Sequence, residues 1–254
     1  MRRAVAIVAA LVACAAVVAS AGAADPPKAL RHLVYSVRAG ASTITEVKRS
    51  GFGQNGGNSE DFGVAGILNK GTIALDVLSV TSDGALVIDV TENAQARTTP
   101  LTRVAVFDDG RVLYDPKNTL MPESLELLRL CARHVFDEHI ALVGSKWTED
   151  HAQQSGTETT TYETSEVVGD RSLVRFERSI SGKGIASPVE MRGAIVYDRH
   201  FLMPIAGSLG QRIRTSDVEQ SKRTTVNWQI RLLEDSFSKT TANGDIPPAI
   251  LPPH

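Results

Sequence analysis

Histidines are the first residues to test for chemistry, because imidazole serves both metal binding and acid–base catalysis. The chain has six of them. His134 and His139 form the nearest pair and lie five residues apart. The zinc-binding helix of hydrolases instead places its two histidines four apart, on one face. No cysteine or acidic cluster accompanies the pair, so the sequence predicts no metal site and no cofactor.

Serine and glycine motifs match parts of catalytic or nucleotide-binding patterns, but they lack the sequence context that those patterns require. Gly207-Ser-Leu-Gly210 is not a nucleophile elbow, because Ala206 stands where the first glycine belongs. Ser236-Phe-Ser-Lys239 has the S-x-x-K spacing but none of the elements that accompany it in penicillin-binding enzymes. The G-x-G-x-x-G spacing of residues 51–56 is followed by Gly-Asn-Ser, a poor helix start, and we interpret it as a loop.

Carboxylate pairs of the glycosidase kind meet only in the folded protein, so sequence spacing does not exclude them. Glu177, Glu190 and Asp198 are the acids nearest to predicted strands. Nothing in the pattern singles them out, and the sequence predicts no catalytic residue. An enzyme stays open as the alternative, in the form of an envelope hydrolase whose site is assembled from residues distant in sequence.

The N-terminus has the three parts of a secretory signal peptide, which we place at residues 1–24. Residues 1–3 are basic, residues 4–19 are apolar and uncharged, and small residues follow. A retained membrane anchor is the alternative, because the apolar run approaches spanning length. Cys14 ends a Leu-Val-Ala-Cys run that fits the lipobox of bacterial lipoproteins. We expect ordinary cleavage and a secreted or periplasmic protein, with membrane contact only through a lipidated Cys14 or an uncleaved signal.

Charge and cysteine content further restrict the functions that the sequence favours. The formal net charge is −2 and no basic block is present, so the sequence gives no electrostatic footprint for nucleic acid. Cleavage after residue 24 leaves Cys131 as the single thiol, and one cysteine cannot form an internal disulfide. Cys131 lies in an apolar helical pattern, where we expect a small buried residue and not a reactive thiol.

Short β-rich segments joined by turn residues make up most of the chain. In residues 71–91, apolar residues alternate before and after Asp83-Gly84, which predicts a hairpin. Five further strand pairs follow the same rule: residues 33–37 with 43–47 around Gly40, 101–107 with 111–114, 158–168 with 172–180, 191–197 with 201–205, and 211–215 with 224–233.

One convincing helix, residues 122–136, interrupts the strands. Pro122 suits its first turn, and Leu125 and Leu128 begin an apolar face. The predicted fold is mainly β: one domain (25–244) with a single antiparallel sheet, curved or forming a partial barrel or sandwich, with this helix packed on it and a proline-rich tail (245–254). The order of elements is similar to that of the curved half-barrels of bacterial periplasmic lipoprotein carriers, a likeness of architecture without a shared motif.

The absence of catalytic spacing and the dense apolar alternation favour a non-catalytic envelope protein. We expect it to bind a lipid or other apolar ligand, or a protein partner, on the curved sheet. The predicted lining residues come from the first hairpin and the last strand: Leu86, Ile88, Val226, Trp228 and Ile230. The alternative is that these side chains pack as ordinary core and leave no room for a ligand.

Overall fold

The structure is a computed structural model, and it describes residues 28–47, 60–95, 98–132, 138–153, 156–181, 189–200, 203–216 and 220–237. The predicted signal peptide with Cys14, the glycine-rich segment 51–56 and the proline-rich tail lie outside these residues. Among the helices that are described, none is both long and apolar enough to cross a membrane.

In the described part of the chain, eleven antiparallel strands form one sheet, which confirms the mainly β prediction. Buried positions alternate with more exposed ones along β7 and most of β8, as a sheet with one covered face requires, whereas residues 203–210 of β10 are all buried. In chain order the strands are β1 (Arg31–Val47), β2 (Glu60–Val80), β3 (Leu86–Ala94), β4 (Thr98–Val106), β5 (Val112–Tyr114), β6 (Lys146–Gln153), β7 (Gly156–Val168), β8 (Arg171–Ser181), β9 (Val189–Asp198), β10 (Met203–Ser216) and β11 (Gln220–Asp235).

The strand order places the two ends of the described chain at the middle of the sheet. Across the sheet it runs β5-β4-β3-β2-β1-β11-β10-β9-β8-β7-β6. The first and last strands pair along nearly their whole length, from Leu33 opposite Asp235 to Val47 opposite Gln220. The edges are therefore β5 and β6, and the residues between these two strands carry the helices.

The sheet is strongly curled but not closed. Ten strand spacings of about 4.8 Å would separate the edges of a flat sheet by about 48 Å. Yet residues of the β4–β5 turn and of β6 line one common cavity. Register shifts, including those at Ala39/Gly40 and Val90/Glu92, add bulges that increase the local twist. The edges thus face each other across a gap, which we call the seam.

The helix α1 (Pro122–Leu130) begins where the sequence predicts, with Pro122 in the first turn. It ends at Leu130, six residues before the predicted end, and residues 133–136 lie outside the described part. The last turn tightens because the Cys131 amide bonds to the carbonyls of both Leu127 and Leu128. Of the predicted apolar face, Leu128 is buried and Leu125 is only partly so, and Leu127 and Leu130 widen the buried side.

One predicted turn, and one segment left between two predicted strands, lie inside strands. Gly40 lies in the middle of β1, at a bulge against β2, where a side chain would crowd the Gly66 carbonyl at 3.3 Å. The segment around Gly207 lies in the middle of β10, where an added Cβ would stand 3.0 Å from Ile195. In both places glycine permits a close approach of neighbours and does not reverse the chain. The predicted hairpin turns at Gly84, Gly110 and Gly169 are confirmed, each with positive φ.

Candidate binding site

The five predicted lining residues all face the covered side of the sheet. Ile88, Trp228 and Ile230 are buried members of the apolar core, and Leu86 and Val226 are partly buried against it. Trp228 stands between Ala39 of β1 and Leu209 of β10. Leu127 and Leu128 of α1 belong to the same apolar cluster. The pattern therefore identified the correct face, while ligand contact at these residues stays a prediction.

A cavity of about 440 Å³ lies at the seam, which we call the seam cavity. It is bounded by the β4–β5 turn and β5 on one side, by β6, β7 and β8 on the other, and by α1 above. Its lining combines apolar groups with ionic ones: Asp109, Gly110, Arg111, Val112, Leu113, Arg129, Asp150, His151, Glu158, Thr160, Tyr162 and Arg178.

Strand alternation groups the covered side chains next to this cavity, and those that line it are His151, Glu158, Thr160, Tyr162 and Arg178. Trp147, Glu149 and His151 occupy alternate positions of β6, on the covered face. Each is paired with a residue of β7, which is in turn paired with a residue of β8. Three rows result, and their composition changes from aromatic to ionic along the strands. They are Trp147–Tyr162–Phe176, Glu149–Thr160–Arg178 and His151–Glu158–Ile180.

The first row is a stack of aromatic rings. The rings of Trp147 and Tyr162 are parallel within 14° with centroids 5.1 Å apart. Phe176 continues the row at 6.0 Å from Tyr162. Burial raises the pKa of the Tyr162 phenol well above its usual range, so this hydroxyl stays protonated. The row gives the seam an apolar floor beside the charged groups.

An ion-pair cluster centred on Arg178 forms the second part of the site. Its guanidinium is only 7% exposed, and Nη1 donates to Glu126 Oε2 of α1 at 2.7 Å. Its Nε donates to Thr160 at 3.1 Å and lies 3.5 Å from Glu158. Arg129 of α1 reaches both glutamates at 3.4–3.5 Å. Breaking such a buried pair on one side leaves an uncompensated charge, so the cluster fixes α1 to the sheet.

Further polar contacts hold each end of α1. At its start, Glu92 Oε1 of β3 accepts from the Met121 amide at 2.7 Å and from the Ser124 hydroxyl at 2.5 Å. A carboxylate at this position complements the positive end of the helix dipole. At its end, the Tyr197 hydroxyl donates to the Leu130 carbonyl at 3.3 Å. The helix, and the arginine that it contributes to the seam, are thus positioned by side chains from both halves of the sheet.

Glu149 has the most perturbed carboxyl group of the seam. Burial raises its pKa to about 7; Arg178 opposes the rise and Asp109 adds to it. The nearest His151 nitrogen, Nε2, lies 3.8 Å from Glu149 Oε2, beyond direct hydrogen-bond length. A group that titrates near neutrality in a cleft is a candidate for a functional role.

Sequence reasoning pointed to other acids. Glu177 and Glu190 are exposed, and Asp198 accepts from the His200 amide in the β9–β10 turn. The seam residues were missed because they come from six elements that are separate in sequence. The available signal was polar residues at period two on covered strand positions, as in Glu149-x-His151 and Glu158-x-Thr160.

Two other residues that the sequence offered for chemistry, Cys131 and His32, lie outside the seam cavity. Cys131 is buried as predicted, and burial raises the pKa of its thiol to about 12, which disfavours the nucleophilic thiolate. His32 Nδ1 contacts Asp76 at 2.7 Å on the sheet surface. Within the described ranges, no group of three His, Cys, Asp or Glu side chains is placed to hold a metal ion.

Comparison with known proteins gives little. No protein-family model matches the sequence. No curated protein matches it either. Among solved structures, one described as lipid–protein interactions in lipovitellin aligns with 88% of this chain at 11% identity and a TM-score of 0.44. The alignment covers 27% of the lipovitellin chain, so this protein spans about a quarter of that length.

Proposed function

We propose that the protein is an exported, non-catalytic binding protein that takes up an amphipathic small molecule in the seam cavity. The cavity itself carries the proposal. Its volume of about 440 Å³ is within the range of small-molecule sites. Val112, Leu113 and Tyr162 offer an apolar wall, and the arginine and carboxylate groups offer partners for a polar end.

The position of the cavity adds support. Neither β5 nor β6 has a second strand partner in the described part of the chain, so the seam is where the sheet opens. A ligand can enter there without breaking strand pairing. By contrast, the side chains of Leu86, Ile88, Val226, Trp228 and Ile230 belong to the apolar core or pack against it, so a ligand there has to displace core packing.

Titration with the neutral fluorescent probe N-phenyl-1-naphthylamine tests the proposal. Leu113→Arg places a charge on the apolar wall, and we expect it to weaken saturable binding at least about tenfold. Leu101→Arg is the matched control, because both leucines are 57% exposed on neighbouring strands and Leu101 is not a lining residue. Equal affinity of the two variants contradicts the seam site. If Trp228→Phe weakens binding instead, the ligand lies on the covered face.

Export is a separate part of the proposal and rests on residues 1–24. Intact mass of protein recovered from its native host is expected to correspond to a chain beginning near Ala24 or Asp25. A mass that retains Met1 contradicts cleavage, and a lipidated Cys14 would place the protein at a membrane surface. Native mass spectrometry of the same material would reveal a co-purifying lipid or partner.

A hydrolase is the second candidate, favoured by one observation. Glu149, with its pKa raised to about 7, and His151 lie 3.8 Å apart beside the seam. A carboxylate that titrates near neutrality can act as a general base towards water. Glu149→Gln should then abolish hydrolysis of an ester and amide panel while the fold is kept. Absence of turnover by the wild-type protein leaves the binding proposal.

A further inference from the structure

We propose that the protein has a second binding site, on the outer face of the sheet, and that this site takes a small organic molecule through its carboxylate group. The outer face is the side opposite the covered one. The site is a cavity of about 370 Å³ across strands β6 to β9, which we call the outer cleft. It goes beyond the proposed function because, of the described residues, Tyr162 alone lines both the outer cleft and the seam cavity.

Strand pairing assembles the outer cleft from two neighbouring rows of residues. The rows are Lys146–Glu163–Arg175 and Thr161–Glu177–Arg192, and all six residues line the cleft. They alternate along the strands with covered residues, so their side chains point to the outer face. Tyr162, Phe176 and Gly193 complete the described lining.

Cations outnumber carboxylates in this lining. The three cations are Lys146, Arg175 and Arg192, and the two carboxylates are Glu163 and Glu177. The described lining therefore has one positive charge in excess. An anion that enters the cleft neutralises this charge, whereas an amine adds to it.

The two carboxylates pair away from the middle cation. Lys146 Nζ lies 3.2 Å from Glu163 Oε2, and Arg192 Nη2 lies 3.2 Å from Glu177 Oε1. Glu163 thus pairs towards β6 and Glu177 towards β9, while Arg175 lies on β8 between the two pairs. Among the described residues, no carboxylate forms an ion pair with the Arg175 guanidinium. Its N–H groups are therefore the donors that a ligand can use.

A carboxylate suits this arrangement better than a phosphate. The planar guanidinium donates two parallel N–H bonds to the two oxygens of a carboxylate. One negative charge balances the excess of the lining. A phosphate monoester carries about −1.5 to −2, and its extra charge would lie beside Glu163 and Glu177. The cleft is also larger than a bare ion requires, and its volume is in the range of small-molecule sites.

Fluorescence titration with three dansyl probes tests the charge preference. Dansyl-6-aminohexanoate is negative, dansylcadaverine is positive and dansylamide is uncharged. At neutral pH and low ionic strength, we expect the carboxylate to bind at least about tenfold tighter than the amine, with dansylamide between them. Added salt should weaken carboxylate binding, because Arg175 is only partly buried and its attraction to an anion is screened.

Three variants assign the binding to the outer cleft. Arg175→Gln should weaken carboxylate binding about tenfold, because it removes the central donor. Arg171→Gln is the matched control and should bind as wild type does. Arg171 is a partly buried arginine on the same face of the same strand, but it does not line the cleft. Glu177→Gln should tighten carboxylate binding, because it raises the excess of positive charge.

Each other outcome overturns the inference. Equal affinities of the three probes would show that the cleft does not select for charge. Equal losses in Arg175→Gln and Arg171→Gln would show a general effect of net charge. Unchanged carboxylate binding by Arg175→Gln, with a wild-type urea melt, would place the carboxylate elsewhere.

The seam proposal is tested separately. N-phenyl-1-naphthylamine is uncharged, so Arg175→Gln should bind it as wild type does. If this probe binds to no form of the protein while the carboxylate follows Arg175, the seam site fails and the outer cleft stands. If the reverse is found, the outer cleft fails and the seam site stands.

Discussion

The centre of the sheet and its seam use the same strand alternation with opposite contents. Around the centre, β1 and its neighbours β2 and β11 are 17, 21 and 16 residues long, and their covered positions include the fully buried Leu33, Tyr35 and Leu75. At the seam the edges are strands of 3 and 8 residues, and the covered positions beside them carry Glu158 and Arg178.

The difference indicates a division of labour. Apolar burial stabilises the centre, because removing apolar surface from water is the main favourable contribution to folding. The ionic groups at the seam add little net stability, because the cost of their desolvation offsets most of the electrostatic attraction between them. In the proposed function, these groups bind the polar end of a ligand. Four matched pairs of substitutions test this comparison.

The largest expected effect is at the centre. Trp228→Ala removes a buried ring from the core and should lower the free energy of unfolding by about 3–5 kcal/mol. The matched change Trp147→Ala at the seam removes a ring that is only partly buried, and should cost about half as much or less. Denaturant melts of both variants measure the difference. Equal losses would remove the contrast between the two regions.

The ion pair that joins the first and last strands should come next. Arg31 Nη2 lies 2.6 Å from Asp235 Oδ2, with side chains 9% and 1% exposed. Arg31→Ala leaves a buried carboxylate without its partner and should cost about 3 kcal/mol in a urea melt. Arg111→Ala breaks an exposed pair with Asp109 and should cost less than about 1 kcal/mol. A similar cost for both would show that burial does not decide the strength of these pairs.

The third prediction concerns pH at the seam. Glu149 has a pKa of about 7 in the folded chain and an ordinary value of 4.5 when unfolded. Below pH 4.5 the Glu149 carboxyl is largely protonated in both the folded and the unfolded chain. Between pH 4.5 and pH 7 it ionises in the unfolded chain but stays largely protonated in the folded one. The contribution of Glu149 to stability is therefore lost as the pH rises through this range. At pH 8, Glu149→Gln should therefore have a free energy of unfolding about 1–2 kcal/mol higher than wild type, after solvent screening, and should unfold at a higher urea concentration.

The same comparison at pH 4 is the internal control for Glu149, because both proteins are then uncharged at this position. Glu177→Gln, which removes an exposed carboxylate from the other face of β8, should show little change at either pH. A destabilised Glu149→Gln variant at pH 8 would mean that the carboxylate is stabilised by its surroundings.

The smallest effect is expected at the β7–β8 turn, which aligns the three rows of the seam. Gly169 has φ +55° and open space around it. Gly169→Ala should cost about 1 kcal/mol, because a side chain disfavours left-handed backbone. Gly66→Ala is the control, since Gly66 also has open space around it but its φ is outside the left-handed region. A Gly169→Ala melt that matches wild type would show that the turn relaxes freely.

The sequence by itself was sufficient for the parts governed by local rules. Alternation in residues 71–91, with Asp83-Gly84 between the two halves, predicted the β2–β3 hairpin, and Gly84 has φ +87°. Pro122 marked the start of α1 correctly. The face of Val226, Trp228 and Ile230 followed from the same period. These features depend on neighbours within a few residues, so local steric and hydrophobic preferences are enough.

Prediction from local sequence was wrong where contacts with residues distant in sequence determine the structure. Gly40 resembles a turn residue, yet β2 on one side and β11 on the other extend the strand through it. The helix ends at Leu130, where a hydroxyl from β9 meets its carbonyl. In both places tertiary contacts outweigh the intrinsic preference of the residue.

The candidate site depended entirely on tertiary structure. Glu126, Glu158 and Arg178 are 20 or more residues apart in sequence, and Asp109 and His151 lie on opposite sides of the seam. No spacing rule connects them, because they meet only when the eleven strands curl and α1 closes over the covered face. Their charges also have an effect only there: burial in that closed space, and not the residue types, raises the pKa of Glu149 to about 7.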